Sequence, residues 1–406
     1  MRGLDQIKDY LLNKISKVNI NNPKANTGAV LLKLHKNIEQ DIDKIVYIAY
    51  HTLQLHFTTD NTSNPAGTAG LTMISTAIGT KVYNYIHREP IPWKEQVRLG
   101  DLFIEAFYNE GFVSLEYPKI YKGSYTVKVT PEWERLAEIP IPNDSIVLQY
   151  TSDTPYTDVR IKGNDKVYAD DVPWVRSVRK LQSTPWNLNE ITFNTMLNHR
   201  HLFISDTPIK DDELKELKRI SKKGEWRFIE DKSNLALDLQ TFYQEADADY
   251  RGRVYYKESF LNFQGSDWAR GLLLFDEGKE LDQSGEYWLA VHTASSYNMS
   301  YNIDRIPEWC EADYKSYLES EGLESISVDK MTLDDRVRWT NYYMNSIIRL
   351  GERNKMLKGA EKKVSFFSCC YEWYQIMIAK NENRSHISHL PIPIDGSNNG
   401  WQHLGA

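Results

Sequence analysis

Cysteine is nearly absent from this chain: Cys310, Cys369 and Cys370 are the three in 406 residues. No CxxC pair occurs, which excludes a disulfide framework and fits a reducing compartment. Long apolar runs are missing too. Stretches such as Leu272-Leu273-Leu274-Phe275 are too short to span a bilayer. The amino terminus, Met1-Arg2-Gly3-Leu4-Asp5-Gln6, turns charged at once and lacks the apolar core of an export signal. The expectation is a soluble intracellular protein with no membrane partner. No repeat of fixed period is visible. Positive charge is in deficit: the net charge is −7 and the pI about 5.9. That argues against a simple nucleic-acid-binding module, but an enzyme can still concentrate cations in one cleft.

With 41% hydrophobic residues the chain can bury a substantial core in two or three structural units. Ile42, Ile45, Val46, Ala49, Leu53 and Phe57 repeat at helical spacing, so residues 1–57 should be helical. Thr58 to Gly70 reads as a loop by composition. Met73, Ile74, Ile78, Val82 and Ile86 predict the next helix, and Trp93 to Tyr108 another. At Phe112 the period changes. Phe112–Tyr117 and Tyr125–Thr130 then predict a hairpin about Tyr121-Lys122-Gly123-Ser124, either winged-helix-like or plain α+β structure. Pro131 to Pro155 is irregular and marks a change of subdomain. Pro185-Trp186-Asn187-Leu188-Asn189 should open a helix with Pro185 near its first turn. A charged helix over Asp211 to Lys223 carries Lys215, Lys218, Arg219, Lys222 and Lys223. These cations read either as a solvated helix face or as contacts to backbone phosphates, with Lys218, Arg219, Lys222 and Lys223 the candidates.

Two segments carry chemistry. In Asp249-Tyr250-Arg251-Gly252-Arg253-Val254-Tyr255 a tight glycine turn enters a strand. Gly252 lets a backbone come close, and the two guanidiniums can pair with surface acids or grip phosphate oxygens. In Ile392-Pro393-Ile394-Asp395-Gly396-Ser397-Asn398-Asn399-Gly400 an apolar strand delivers Asp395 to its end. A carboxylate there, beside backbone carbonyls, suits Mg²⁺. An EF-hand loop is excluded, because its twelfth position is Ala406 where a bidentate Glu is needed. Taken alone, DGSNNG is most often a turn. His386, His389 and His403 flank this strand at a spacing that fits no compact zinc pattern, so ordinary polar packing is expected of them.

Together and in this order, the segments resemble motifs of the phage-type and mitochondrial single-subunit DNA-directed RNA polymerases. DYRGRVY is similar to the DxxGR motif of that family. FLNFQGSDWARGLLLFDEGKEL and SGEYWLAVHTA resemble its continuation, Phe366 to Trp373 its aromatic helix, and LPIPIDGSNNGWQHLGA its motif A. Thr184 to Asn189 resembles a thumb helix more loosely. The likeness covers residues 175–406 and is vague before them.

The resemblance implies an α+β fold. A mainly helical N-terminal domain with a β-hairpin (1–150) would precede a thumb-like helical region (151–240). The first part of a right-hand palm would follow (241–406). It implies two Mg²⁺ ions, with Asp395 as catalytic metal ligand and the Gly396 carbonyl in support. Arg253 would touch the template–product hybrid, with Asp249, Arg251 and Gly252 shaping that turn. The substrates implied are nucleoside triphosphates, the partners a DNA template and RNA product. Motifs B and C, with the second aspartate, are missing from the sequence. The favoured expectation is therefore a split enzyme completed by a second polymerase subunit, inactive alone, like the larger subunit of heterodimeric Enquatrovirus-like phage polymerases and located in the host cytoplasm. The alternatives are a truncated or intron- or intein-interrupted polymerase, and a non-catalytic nucleic-acid or partner-binding protein derived from the fold.

Overall fold

The computed structural model describes residues 2–22, 26–58, 67–86, 92–116, 125–138, 151–161, 166–168, 172–203, 212–298, 316, 320, 328 and 331–393. The fold is α+β: mostly helices, with small antiparallel sheets. The chain forms two compact units that interleave along the sequence. One takes 1–150, 207–234 and 258–260, and the other takes 151–206, 235–257 and 261–406.

The first unit begins with α1 (Arg2–Lys17), α2 (Thr27–Leu34) and α3 (Ile38–Thr58). The periodic apolar face of α3 is buried as its spacing predicts, with Ile42, Ile45, Leu53 and Phe57 fully covered. Strand β1 (Thr68–Gly70), α4 (Leu71–Ile86), α5 (Trp93–Asn109), β2 (Val113–Glu116) and β3 (Thr126–Val129) follow. The predicted hairpin is present as β2–β3, and its turn residues 121–124 lie outside the described residues. The stretch read as a loop hides β1, which pairs antiparallel with β3 through Thr68↔Lys128 and Gly70↔Thr126. Ala69 and Gly70 are poor strand formers, so the pairing with β3 rather than local propensity makes this a strand.

A 3₁₀ turn over Pro131–Glu138 brings Trp133 into the middle of this unit, fully buried. Its ring lies 5.1 Å from Phe57, 5.3 Å from Tyr50 and 5.8 Å from Phe107. Its indole N–H donates to Gln54 Oε1 at 2.7 Å, and Gln54 Nε2 donates to the Ser221 carbonyl at 3.1 Å. The polar groups in this aromatic core are thereby satisfied, as burial requires.

The second unit contains β4 (Thr151–Ser152), α6 (Pro173–Gln182), β5 (Trp186–Leu188), α7 (Glu190–Asn198) and α8 (Arg200–Phe203). The helix expected to start near Pro185 starts later. Residues 186–188 form β5, antiparallel to Leu273–Phe275, and Asn189 is the N-cap, its Oδ1 accepting from the Thr192 amide at 3.1 Å. The amide of Trp186 bonds to Phe242 rather than into a helix. The charged segment becomes the long helix α9 (Asp212–Leu239), whose residues divide between the two units.

Then come β6 (Tyr243–Gln244), β7 (Ala246–Ala248), β8 (Val254–Tyr256), α10 (Asp267–Arg270), β9 (Leu273–Phe275), β10 (Lys279–Glu280) and α11 (Gln283–Tyr297). The last elements are α12 (Leu333–Tyr342), α13 (Met344–Ile348), α14 (Leu350–Gly359), α15 (Lys363–Asn381) and β11 (Ile387–Ser388). The aromatic helix is α15, and it buries Phe366, Phe367, Cys369, Cys370 and Trp373. Burial pushes both thiols up, so they behave as small apolar groups and not as nucleophiles.

Helices α4 and α5 approach so closely that a Cβ on Gly79 would lie 1.8 Å from the Gln96 carbonyl oxygen. One on Gly100 would lie 1.8 Å from that of Ser75. Both contacts are backbone and cannot yield by a side-chain rotation. Gly79→Ala or Gly100→Ala should therefore destabilise the first unit by about 1–3 kcal/mol or more. Urea-unfolding midpoints of the variants test this, and unchanged midpoints at 79 and 100 would refute the crossing.

Candidate active site

The hairpin β7–β8 pairs Ala246↔Tyr256 and Ala248↔Val254 and presents residues 249–253 at its tip. Beneath it, Ala246 and Ala248 pack with Val159, Val175 and Val178. Gln182, fully buried, accepts from the Ala246 amide at 2.9 Å and fixes the hairpin to α6. The tip is organised by the Asp249 carboxylate. Its Oδ1 accepts from the amides of Arg251 (2.8 Å) and Arg253 (3.0 Å), and its Oδ2 from Arg251 Nε (3.0 Å). Arg253 Nε lies 3.5 Å from the same oxygen. Burial works to raise the carboxyl's pKa, but these donors outweigh it and hold it down at about 2. Asp249 is thus a turn-former. The guanidiniums of Arg251 and Arg253 stay half exposed, and Tyr250 stands out at 83% exposure. Gly252 has φ +79°, while a Cβ there would meet no atom within 4 Å. Glycine is needed for backbone conformation, not for space.

The other sequence candidates fare unevenly. On α9, Arg219 pairs with Glu216 and Glu134, Lys222 with Glu225 and Lys223 with Glu134. These cations sit among acids, the arrangement of a solvated helix face. Lys218 is half-buried on the same helix. Asp395, Gly396 and His403 lie outside the described residues. The segment before them, Pro391–Pro393, is neither helix nor strand, and two of its three residues lack an amide hydrogen to donate. Among the described residues the last strand is β11, antiparallel to β10. His386 shares a 2.7 Å hydrogen bond with Glu372 and His389 a 2.9 Å one with the Phe275 carbonyl, the polar packing expected of them. Among the described residues no group of three His, Cys, Asp or Glu could hold a metal.

Sequence reasoning missed a cavity of about 320 Å³ in the second unit. Trp288, Val291, His292 and Ser295 line it from one face of α11, at the i, i+3, i+4, i+7 spacing. Arg270 enters at the end of α10, Arg336 from α12, and Lys362 just before α15, while Pro391–Pro393 close one wall. No carboxylate lines it among the described residues. Arg270 Nε is buried there without a hydrogen-bond partner, and Arg336 Nη1 donates to Ser295 Oγ at 2.9 Å. Burial, then the charges of Lys362 and Arg270, hold the His292 pKa at about 4, so the imidazole is neutral at pH 7. Three cations thus line one cavity whose described lining holds no carboxylate. Its wall leads by chain connectivity to Asp395, two residues past Pro393.

Residues 279–406 match the DNA-dependent RNA polymerase family. The match is to the family's model and covers just under a third of the chain, including His292, Arg336, Lys362 and Asp395. The chain is 29% identical over 174 residues to a probable DNA-directed RNA polymerase of Neurospora crassa, covering 43% of this chain and 16% of that protein. It is 30% identical over 173 residues to the mitochondrial DNA-directed RNA polymerase 1 of Arabidopsis thaliana, covering 42% and 15%. It is 29% identical over 175 residues to the chloroplastic/mitochondrial polymerase 2B of Nicotiana tabacum, covering 42% and 14%. The matched stretch is thus about one-seventh of these polymerases. Among the described residues no helix is long and apolar enough to cross a membrane.

The cavity's cations come from separate elements, so no local polymerase-like spacing announces them. The face of α11 was the available signal, inside YWLAVHTA.

The Asp249 turn makes a testable prediction. Its carboxyl is depressed, so it contributes stability that is complete above the ordinary aspartate value of about 4 and is lost as pH falls toward about 2. The stability advantage of wild type over Asp249→Asn should shrink across that window in acid-unfolding curves. An advantage constant down to pH 2 would contradict the assignment. Gly252→Ala should cost about 1–2 kcal/mol through its positive φ alone.

Proposed function

We propose that this chain is a subunit of a DNA-directed RNA polymerase. Template-dependent nucleotidyl transfer would run by a two-metal mechanism, with motifs B and C supplied by a second polypeptide. The observation that carries this reading is the carboxylate-free cationic cavity whose wall runs into the Asp395 segment, within the region matching the polymerase family. A phosphate-bearing substrate needs such a place, because a buried polyanion is stable only against fixed positive charge. In this reading Arg270, Arg336 and Lys362 hold phosphates. Arg251 and Arg253, exposed on a rigid turn, hold the backbone of the template–product hybrid. Residues 151–240 act as the thumb and 241–406 as the opening part of the palm.

Asp395 and the Gly396 carbonyl offer hard oxygen donors, the chemistry that Mg²⁺ requires. A metal pair bound there would activate the attacking 3′ hydroxyl and neutralise charge on the triphosphate. One carboxylate does not hold two such ions, so a further aspartate from the partner subunit completes the set. As a phage-type enzyme the assembly works in the host cytoplasm on DNA and nucleoside triphosphates.

Promoter-independent RNA synthesis on denatured DNA with Mg²⁺ tests the reading. It should need this chain together with the product of the adjacent gene. In that mixture Asp395→Ala should abolish synthesis, and Arg270→Ala should lower kcat/KM for nucleotides about 10²-fold, on the scale of one lost charge-stabilising contact. Synthesis that survives Asp395→Ala would sink the catalytic role of this chain.

A further inference from the structure

We propose that His292 is a ligand-binding group of the cationic cavity: it takes up a proton as a phosphate-class anion enters and then donates a hydrogen bond to that anion. This deepens the proposed function and rests on the reading of the cavity as a phosphate site. The geometry carries the argument. His292 projects from α11 into the cavity wall between Trp288 and Ser295, and Arg270, Arg336 and Lys362 line the same space. Its Nδ1 lies 3.4 Å from Ser296 Oγ, a long contact that leaves Nε2 as the atom able to serve a ligand.

The carboxylates on α11 and on the elements around the cavity have these partners. From α10, Asp267 accepts from the amides of Val364 and Ser365 at 2.8 and 3.2 Å and is committed to the start of α15. On α15, Glu372 is committed to His386. On α12, Asp334 accepts from Tyr287 and Asp335 from Thr332 and Arg338. On α11 itself, Glu286 pairs with Lys380. Asp267 also acts by charge on Arg270, but among the described residues that line the cavity the charged groups beside the histidine are cations.

Without an anion the imidazole stays neutral, because a further positive charge beside Lys362 and Arg270 is opposed by both burial and repulsion. A bound dianion reverses the sign of the local field. The imidazolium is then the favoured form, and both ring nitrogens become donors. No bond is made or broken beyond the N–H: the proton comes from solvent and returns when the anion leaves. By linkage, a group whose pKa is higher in the complex than in the free protein strengthens binding as pH falls. The gain begins at its value in the complex and levels off below its value in the free protein.

The test uses the full chain with ¹³Cε1-labelled histidine and sulfate, a dianion that takes up no proton in the range studied. His292→Asn, or His292→Gln should the first fold poorly, assigns the resonance. Sulfate should raise the apparent pKa of His292 by about one unit or more, and sulfate affinity should rise as pH falls from about 7.5 to about 4.0, by about tenfold in total for each unit of that shift. In His292→Asn the affinity should be flat with pH. If sulfate binds in a manner that Arg270→Ala abolishes but leaves the His292 resonance unmoved, this inference is overturned and the phosphate reading survives. If sulfate fails to bind, or binds regardless of Arg270→Ala, both fall together.

Discussion

The carboxylate of Asp267 is the contact on which the site depends. It accepts from the amides of Val364 and Ser365 and from Ser365 Oγ, capping α15 from a different helix. Next to it, Gly271 lies so near α15 that a Cβ would stand 2.7 Å from the Ser365 nitrogen, and its carbonyl accepts from Ser368 Oγ. Burial pushes the Asp267 pKa up, while the donors from Ser365 and Val364 oppose the rise. Because Arg270 follows Asp267 on α10 and Lys362 precedes Val364, this one cap brings two of the cavity's cations to the same wall. The negative charge at the start of α15 is also where a helix dipole favours it.

That arrangement reconciles an acidic protein with an anion site. Net charge is a whole-chain sum, whereas binding responds to the few charges that face one enclosed space. Here the described acids near the cavity serve as caps and pairs, while Arg270, Arg336 and Lys362 line it. The hairpin turn uses the opposite device. There Asp249 is spent on shaping the backbone so that Arg251 and Arg253 project half exposed, with Gly252 supplying the φ that closes the turn. One carboxylate places cations at each location, and neither carboxylate needs to touch a ligand.

The helices were legible because burial imposes a period. Ile42 to Phe57 and Met73 to Ile86 gave α3 and α4 correctly. The two misread strands fail for a shared reason: β1 and β5 are three residues long, and each is a strand only because a distant partner bonds to it. In the candidate site the motifs around Asp249 and Asp395 were visible, since they are continuous in sequence. Arg270, Arg336 and Lys362 were not, because they meet only after α12 and α15 have packed against α11 and α10 against α15. His292 lay in a segment already noted, but nothing local distinguishes a cavity-lining histidine from a packed one.

The most direct measurement is a crystal structure of the chain soaked with tungstate, an anomalously scattering analogue of sulfate. The account predicts a peak inside the cavity, within hydrogen-bonding reach of Arg270, Arg336 and Lys362, with His292 turned toward it. An unoccupied cavity, with the anion bound only at surface lysines such as those of α9, would contradict it.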